Sequence, residues 1–150
     1  MFYPCKPETM RIGYFMFARH ARDPAWTAEP CMSDYRCLAH RHHNRIDLWN
    51  QYHMRIEAPY TELRRQIKDM IPDRTILDGV LFGEGKIRDH YYTFDIPEFQ
   101  GEPAGVLYQR HALLKYIYHD QPLIQVSEHY DNAYKIWSEI TSMPKVNTIM

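Results

Sequence analysis

Two pairs of strand-like segments, each joined by a short turn, constrain the fold of this chain more than any other feature of its sequence. Residues 35–41 and 45–50 alternate apolar and polar side chains on either side of a His-His-Asn turn. Residues 75–82 form a largely apolar segment, interrupted by Asp78 and Gly79, and a glycine-containing turn leads from it to a further segment at 91–96. Such segments around short turns are typical of antiparallel hairpins. We therefore predict two β-hairpins.

Between and after the hairpins, apolar residues recur at helical spacing. Leu63, Ile67 and Met70 lie one or two turns apart within residues 59–71, with charged residues between them and Pro72 directly after. This pattern predicts an amphipathic helix that ends before the proline. Further helices are predicted at 106–118 and 131–140, with a loop at 97–105 and a short strand at 123–126. The order of elements predicts an α+β fold of antiparallel sheets with packed helices.

Length and composition predict one folded domain. The chain has 150 residues, of which 45% are hydrophobic, so it can bury one core without disulfides. No internal repeat or low-complexity linker divides it. Four prolines within the first 30 residues disfavour regular structure there. We therefore predict an irregular N-terminal segment at residues 1–24 and a single domain at residues 25–150.

Several features bear on the cellular location. The apolar runs are far shorter than the roughly 20 residues that a membrane-spanning helix needs, and the N-terminus lacks the pattern of a secretory signal. Three cysteines without CxxC spacing argue against a disulfide framework. These features predict an intracellular protein without a membrane-spanning segment. Arg11, Arg19 and Arg22 leave a mitochondrial location open beside a cytoplasmic one.

The charge balance bears on nucleic-acid binding. The formal net charge is -1 at pH 7, whereas proteins held on phosphates by electrostatics carry a positive excess. Arg36, Arg41, Arg45 and Arg55 lie on or near the first hairpin, where they could line a groove for DNA. With a net charge near zero, a solvated strand surface is the favoured interpretation of these arginines. DNA therefore stays open as a partner but is not favoured.

One group of residues near the first hairpin contains side chains that zinc accepts, namely Cys31, Cys37, His40, His42 and His43. The alternation of a strand places Cys37 and His40 on opposite faces, and the spacing matches no standard zinc site. We therefore predict no metal site. Cys31 is predicted to be an inert, buried thiol, because no basic residue adjoins it in the sequence.

The run Ile76-Leu77-Asp78-Gly79-Val80-Leu81, followed by residues 91–96 and then by Tyr108, Arg110 and Leu114, resembles the middle of the adenylation domain of ATP-dependent DNA ligases. Residues 26–36 resemble the stretch around the ligase nucleophile, and the whole likeness covers residues 25–140. The resemblance implies the nucleotidyltransferase-like fold of DNA ligases and capping enzymes. It also implies an incomplete, C-terminally truncated domain, because the motifs that complete the ATP and magnesium site would lie beyond Ile149.

The same resemblance identifies where this chain departs from the family. The lysine that attacks ATP in the family corresponds to Cys31, which cannot form a lysyl-AMP adduct and lacks the positive charge. Val80 stands in place of a carboxylate, and Asn50 and Gln51 stand where the family carries an arginine. Residues that hold the fold match the family, whereas those that handle phosphate and metal mostly do not. The resemblance therefore implies a degenerate and catalytically inactive domain.

Three residues of a nucleotide site remain by this resemblance. Glu29 would face the adenine, Arg36 would face the ribose or phosphate, and Phe94 would stack on the base. These residues could hold ATP or AMP weakly, and no firmly bound cofactor is expected.

Three hypotheses on function follow. The first is a structural or interaction subunit of a larger protein assembly, which the lost catalytic positions and the 12 tyrosines and 8 methionines favour. The second is a regulatory module that binds ATP or AMP without reacting. The third is an active ATP-dependent DNA ligase component that another chain completes.

Overall fold

The computed structural model describes Asp23 and residues 30–32, 35–83, 88–129 and 146–149. Glu29 and the helix predicted at 131–140 lie outside the described residues. The chain divides into two compact units, and the larger one contains Asp34–Val126. The smaller unit contains Cys5–Ser33 and Ser127–Met150. The single domain predicted over residues 25–150 stays a prediction.

The larger unit is built on a six-stranded sheet with strand order β3-β2-β4-β5-β6, in which β7 also pairs with β5. Two helices accompany the sheet. In the smaller unit, β1 and β8 form an antiparallel pair of their own. The bounds are β1 Pro30–Met32, β2 Tyr35–His42, β3 Arg45–Asn50, α1 Thr61–Met70, β4 Thr75–Phe82, β5 His90–Phe99, β6 Glu102–Pro103, α2 Leu107–Ile117, β7 Ile124–Val126 and β8 Val146–Ile149.

Both predicted strand pairs are present, and the α+β fold with antiparallel sheets is confirmed. β2 pairs with β3 and β4 pairs with β5, in each case antiparallel. The first hairpin is joined to β4 through β2, so the two pairs form one sheet. The loop predicted at 97–105 is wrong in part, because β5 continues to Phe99 and turns back into β6. β7 departs from the antiparallel pattern, since it runs parallel to β5.

One face of the sheet packs against the helices. Leu63, Ile67 and Met70 of α1 are buried in this core, as their spacing predicts, and Leu114 and Ile117 of α2 join them. The strands contribute apolar residues from one face to the same core, among them Cys37, Ala39, Ile46, Leu48, Leu77, Leu81, Tyr91 and Ile96.

Two arginines fix α1 to the sheet. Arg41 of β2 donates to the carbonyls of Lys68 (2.6 Å) and Ile71 at the C-terminal end of α1, where the helix dipole favours a cation. Arg64 of α1 donates to four carbonyls between β3 and the start of the helix. These carbonyls belong to Ile46, Ile56 (2.9 Å), Ala58 (3.3 Å) and Pro59 (3.1 Å).

The outer edge of β5 is covered in three parts. Tyr91 to Thr93 pair with β7, and Glu98 and Phe99 pair with β6. Between them, Arg110 of α2 donates to Asp95. Through Leu114 and Arg110, α2 thus contacts both the core and the strand that carries Asp95. Among the described residues, no helix is long and apolar enough to cross a membrane.

Candidate functional site

The face of the sheet opposite the helices carries the polar residues that the sequence singled out. Arg36 pairs in register with Val80, and Leu38 pairs with Asp78, so these four side chains share one face. Their neighbours in sequence, Cys37 and Gly79, belong to the other face. Asp78 is 2% exposed and Val80 4% exposed. The face is therefore largely closed to solvent around β4.

Arg36 and Asp78 form a two-point ion pair on this face. Nε of Arg36 donates to Oδ1 of Asp78 at 3.1 Å, and Nη2 donates to Oδ2 at 2.6 Å. Burial raises the pKa of Asp78, while the hydrogen bonds and charge of Arg36 oppose that shift. The guanidinium that was predicted to face a ribose or phosphate is thus engaged by a carboxylate of the same chain.

A second ion pair lies directly beside the first. Asp95 of β5 is the register partner of Asp78, and Nε of Arg110 donates to Oδ1 of Asp95 at 2.7 Å. The row Arg36, Asp78, Asp95, Arg110 therefore runs from β2 across β4 and β5 to α2. Sequence reasoning did not predict this row, because partners up to 42 residues apart leave no local pattern.

Phe94 and Val80 occupy positions that bear on the predicted nucleotide site. Asp95 pairs with Asp78 and Thr93 pairs with Gly79, so Phe94 has no partner on β4 and is the extra residue of a β-bulge. Phe94 is partly buried. A carboxylate at position 80, which the resemblance would require, would be buried in the sheet. Phe94 and Arg36 belong to the same sheet, but their predicted contacts with a nucleotide stay predictions.

Of the other two predicted site positions, the one that the structure describes lies outside this sheet. Cys31 belongs to β1 of the smaller unit, where its backbone is the register partner of Thr148. Glu29 is outside the described residues. The roles predicted for these two residues stay predictions.

The arginines that could have lined a DNA groove have partners within the chain. Arg45 donates to Asp47 at 2.9 Å, and Arg55 lies 3.3 Å from the same carboxylate. Arg36 pairs with Asp78, and Arg41 binds the end of α1. Asp78 compensates the charge of Arg36, and Asp47 is shared by Arg45 and Arg55, so the hairpin presents less net positive charge than four unpaired arginines would. Arg41 keeps its charge at the end of α1.

The histidines and the thiol of Cys37 lie apart on the first hairpin. Cys37 is buried on the helix-facing side, and burial raises the pKa of its thiol far above the usual range. His40 and His42 lie on the opposite face, with ring centroids 6.0 Å apart. Within residues 35–83 and 88–129, no three metal-ligating side chains are grouped as a metal site. A deeply buried thiol of this kind is a packing residue.

A separate open cavity of about 980 Å³ lies at the β5–β6 turn and the start of α2. Arg74, Glu102 and Gln109 supply polar atoms, and Phe99 and Leu113 supply apolar surface. This cavity contains none of the residues that the sequence indicated for a nucleotide.

Two solved structures have the same fold as this chain. One is described as mycobacterial DNA ligase D complexed with ATP and MES, with a TM-score of 0.60 and 20% sequence identity. The other is the ligase domain of M. tuberculosis LigD, with a TM-score of 0.61 and 20% identity. In both comparisons 77% of this chain is covered. The chain has a DNA-ligase-like nucleotidyltransferase fold.

The likeness of this ligase-like domain to the solved structures concerns the fold. The chain spans 44% of the length of each matched ligase chain. No protein-family model and no curated protein matches the sequence.

Proposed function

We propose that this chain is a ligase-like domain without ligase chemistry that serves as an interaction subunit of a larger protein assembly. The observation that carries the proposal is the apolar surface of α2. Tyr108 is 72% exposed and Tyr116 is 82% exposed, and Val106 and Leu107 at the start of the helix are about half exposed. Large apolar side chains gathered on one exposed element are typical of protein interaction sites.

The arrangement along α2 supports a contact with another helix or a flat surface. Tyr108, Ala112 and Tyr116 are spaced four residues apart and therefore lie on one side of the helix. The small Ala112 lies between the two tyrosines, and all three side chains are exposed. Tyrosine gives a large contact area at a low cost in side-chain entropy, so such a stripe suits a protein partner.

The loss of chemistry is supported by the residue at the nucleophile position. A lysine amine attacks the α-phosphorus of ATP in the ligase family, and the resemblance places Cys31 at that position. The ion pair between Arg36 and Asp78 satisfies a side chain that would otherwise meet a nucleotide. Both features support a scaffold in which the fold is kept and the covalent step is lost.

The test uses the complex in which the chain occurs, a double variant of α2 and a control variant outside α2. Tyr108→Ser combined with Tyr116→Ser is expected to release the partner while the free energy of unfolding stays within about 0.5 kcal/mol of the wild type, because both residues are exposed. Tyr52→Ser is the matched control, since Tyr52 is 66% exposed but lies outside α2. Equal retention of the partner by both variants would contradict the proposal.

A second candidate function is a regulatory module that binds ATP or AMP without reacting. It is favoured by the ligase-like fold and by the occurrence of Arg36 and Phe94 in one sheet. Calorimetry with millimolar ATP and AMP tests this function. Nucleotide binding by the wild type that is lost in Arg36→Gln would support this function. No detectable binding of ATP or AMP by the wild type would exclude it.

The third candidate, a ligase component completed by another chain, has a direct test. Incubation with radiolabelled ATP, with and without the purified partner, would reveal a protein-AMP adduct. The proposed scaffold role requires that no adduct forms. A labelled chain that loses its label in Cys31→Ala would instead establish an active enzyme with altered chemistry.

A further inference from the structure

The two ion pairs on the sheet depend on each other. Asp78 and Asp95 are register partners on neighbouring strands, and like charges placed directly opposite each other destabilise a sheet. Each carboxylate is compensated by its own arginine, Arg36 from β2 or Arg110 from α2. A change at one arginine therefore alters the electrostatic environment of the other.

Arg110 connects this pair of carboxylates to the first turn of α2. Its Nε donates to Asp95 at 2.7 Å, and its Nη1 donates to the carbonyl of Gly105 at 3.2 Å. Gly105 has a φ of +87° and lies directly before Val106, the N-cap residue of α2. One guanidinium thus holds both β5 and the turn that leads into the helix.

We infer that the row Arg36, Asp78, Asp95, Arg110 is a coupling device between the start of β2 and the first turn of α2. Loss of the contact between Arg36 and Asp78 leaves, among the described residues of this row, two carboxylates facing the single arginine of α2. Arg110 then moves toward both carboxylates and gives up its bond to Gly105. The first turn of α2 loosens, and with it the exposed apolar residues Val106, Leu107 and Tyr108.

This inference goes beyond the proposed interaction role, because the coupling exists in the isolated chain and is measurable without any partner.

Amide hydrogen exchange on the full chain at pH 8 tests the coupling. Arg36→Gln is expected to speed exchange at residues 105–110 by about threefold or more, the size of an ordinary coupling between neighbouring charges. Exchange in α1 is expected to stay at the wild-type rate. Arg65→Gln is the matched control, because Arg65 forms exposed ion pairs with Glu62 and Asp69 on α1. Equal exchange at 105–110 in both variants would overturn the inference.

A double variant separates the electrostatic coupling from general loosening. Arg36→Gln combined with Asp78→Asn removes both charges of the first ion pair. The ion pair between Asp95 and Arg110 is then expected to stay intact. Exchange at residues 105–110 is expected to return to the wild-type rate. Exchange as fast as in Arg36→Gln alone would overturn the inference. Where Arg36→Gln does not fold, Arg36→Lys is compared with the control Arg65→Lys instead. A smaller increase in the exchange rate at residues 105–110 is then expected in Arg36→Lys.

Discussion

The hydroxyl of Tyr91 on β5 lies 2.9 Å from the carbonyl oxygen of Cys37 on β2, two strands away. To reach that oxygen, the ring crosses β4 at Gly79, where a Cβ would lie 2.8 Å from Cζ of Tyr91. The packing of Tyr91 therefore accounts for the glycine at position 79 in this chain. It leaves space for a tyrosine that joins three strands of the sheet.

Gly79→Ala is expected to destabilise the fold by about 2–3 kcal/mol, because overpacking a closed core forces the backbone to shift. The added Cβ would lie 2.3 Å from the carbonyl oxygen of Tyr92, which belongs to the paired strand and cannot move freely. Urea unfolding followed by circular dichroism measures the change. Ala112→Ser on the exposed side of α2 is the control. A Gly79→Ala variant as stable as this control would contradict the explanation.

Arg64→Lys is expected to lower the free energy of unfolding by about 2–3 kcal/mol, because one ammonium cannot replace a planar fork that binds several carbonyls. Arg64 donates to four carbonyls, including those of Ile46 and Ile56. The next residue offers a matched control. Arg65 binds Glu62 and Asp69 at the surface, so Arg65→Lys should change stability by less than about 0.5 kcal/mol. Similar losses in both variants would show that Arg64 has no special role.

Asn50→Arg, which places the arginine of the ligase family in this chain, is expected to cost about 2–4 kcal/mol of stability because the site is buried and polar. Oδ1 of Asn50 accepts from the backbone N–H of Tyr52 (2.9 Å) and Met54 (3.0 Å), and Nδ2 donates to the hydroxyl of Tyr35 (3.0 Å). Asn50 is 4% exposed. Gln51→Arg at the next position should lower the stability less than Asn50→Arg does. A larger loss of thermal stability in Gln51→Arg than in Asn50→Arg would refute this explanation.

Acidification is expected to destabilise the fold through His40. Burial lowers the pKa of this imidazole below its ordinary value, which is about 6.5 in unfolded chains. The unfolded state therefore binds more protons than the folded state as the pH falls below that value, and stability decreases with falling pH. Urea unfolding at pH 7.5, 6 and 5 should show a smaller decrease in His40→Gln than in the wild type. If the free energy of unfolding falls equally with pH in the two proteins, His40 does not contribute to the pH dependence of stability.

The two hairpins, and the two helices that the described residues contain, could be predicted because their patterns are local. The spacing of Leu63, Ile67 and Met70 gives the buried face of α1 directly. The alternation along β2 places Cys37 and Ala39 in the core but does not predict that Leu38 is also buried, on the opposite face of the sheet. The pairing of β2 with β4 could not be predicted in this way, since a helix separates the two strands in sequence. Strand adjacency of this kind depends on the whole sheet.

The candidate site was predicted less completely than the fold. The resemblance indicated Arg36 and Phe94, but Arg36 engages Asp78 and Phe94 lies in a β-bulge. Arg64 and Arg41 also bind carbonyl groups that lie 18 and 30 residues away in the sequence. A single sequence carries no signal for such contacts, because a charged residue on a strand or helix is usually expected to face solvent.

The molar mass of the native protein in solution tests the central claim most directly. The chain has a mass of 18.1 kDa. Size-exclusion chromatography with light scattering, applied to the protein isolated from its natural source under mild conditions, is expected to give a stable complex well above this value that contains a different polypeptide. A free monomer with no partner would contradict the proposal that the ligase-like fold serves here as an interaction subunit.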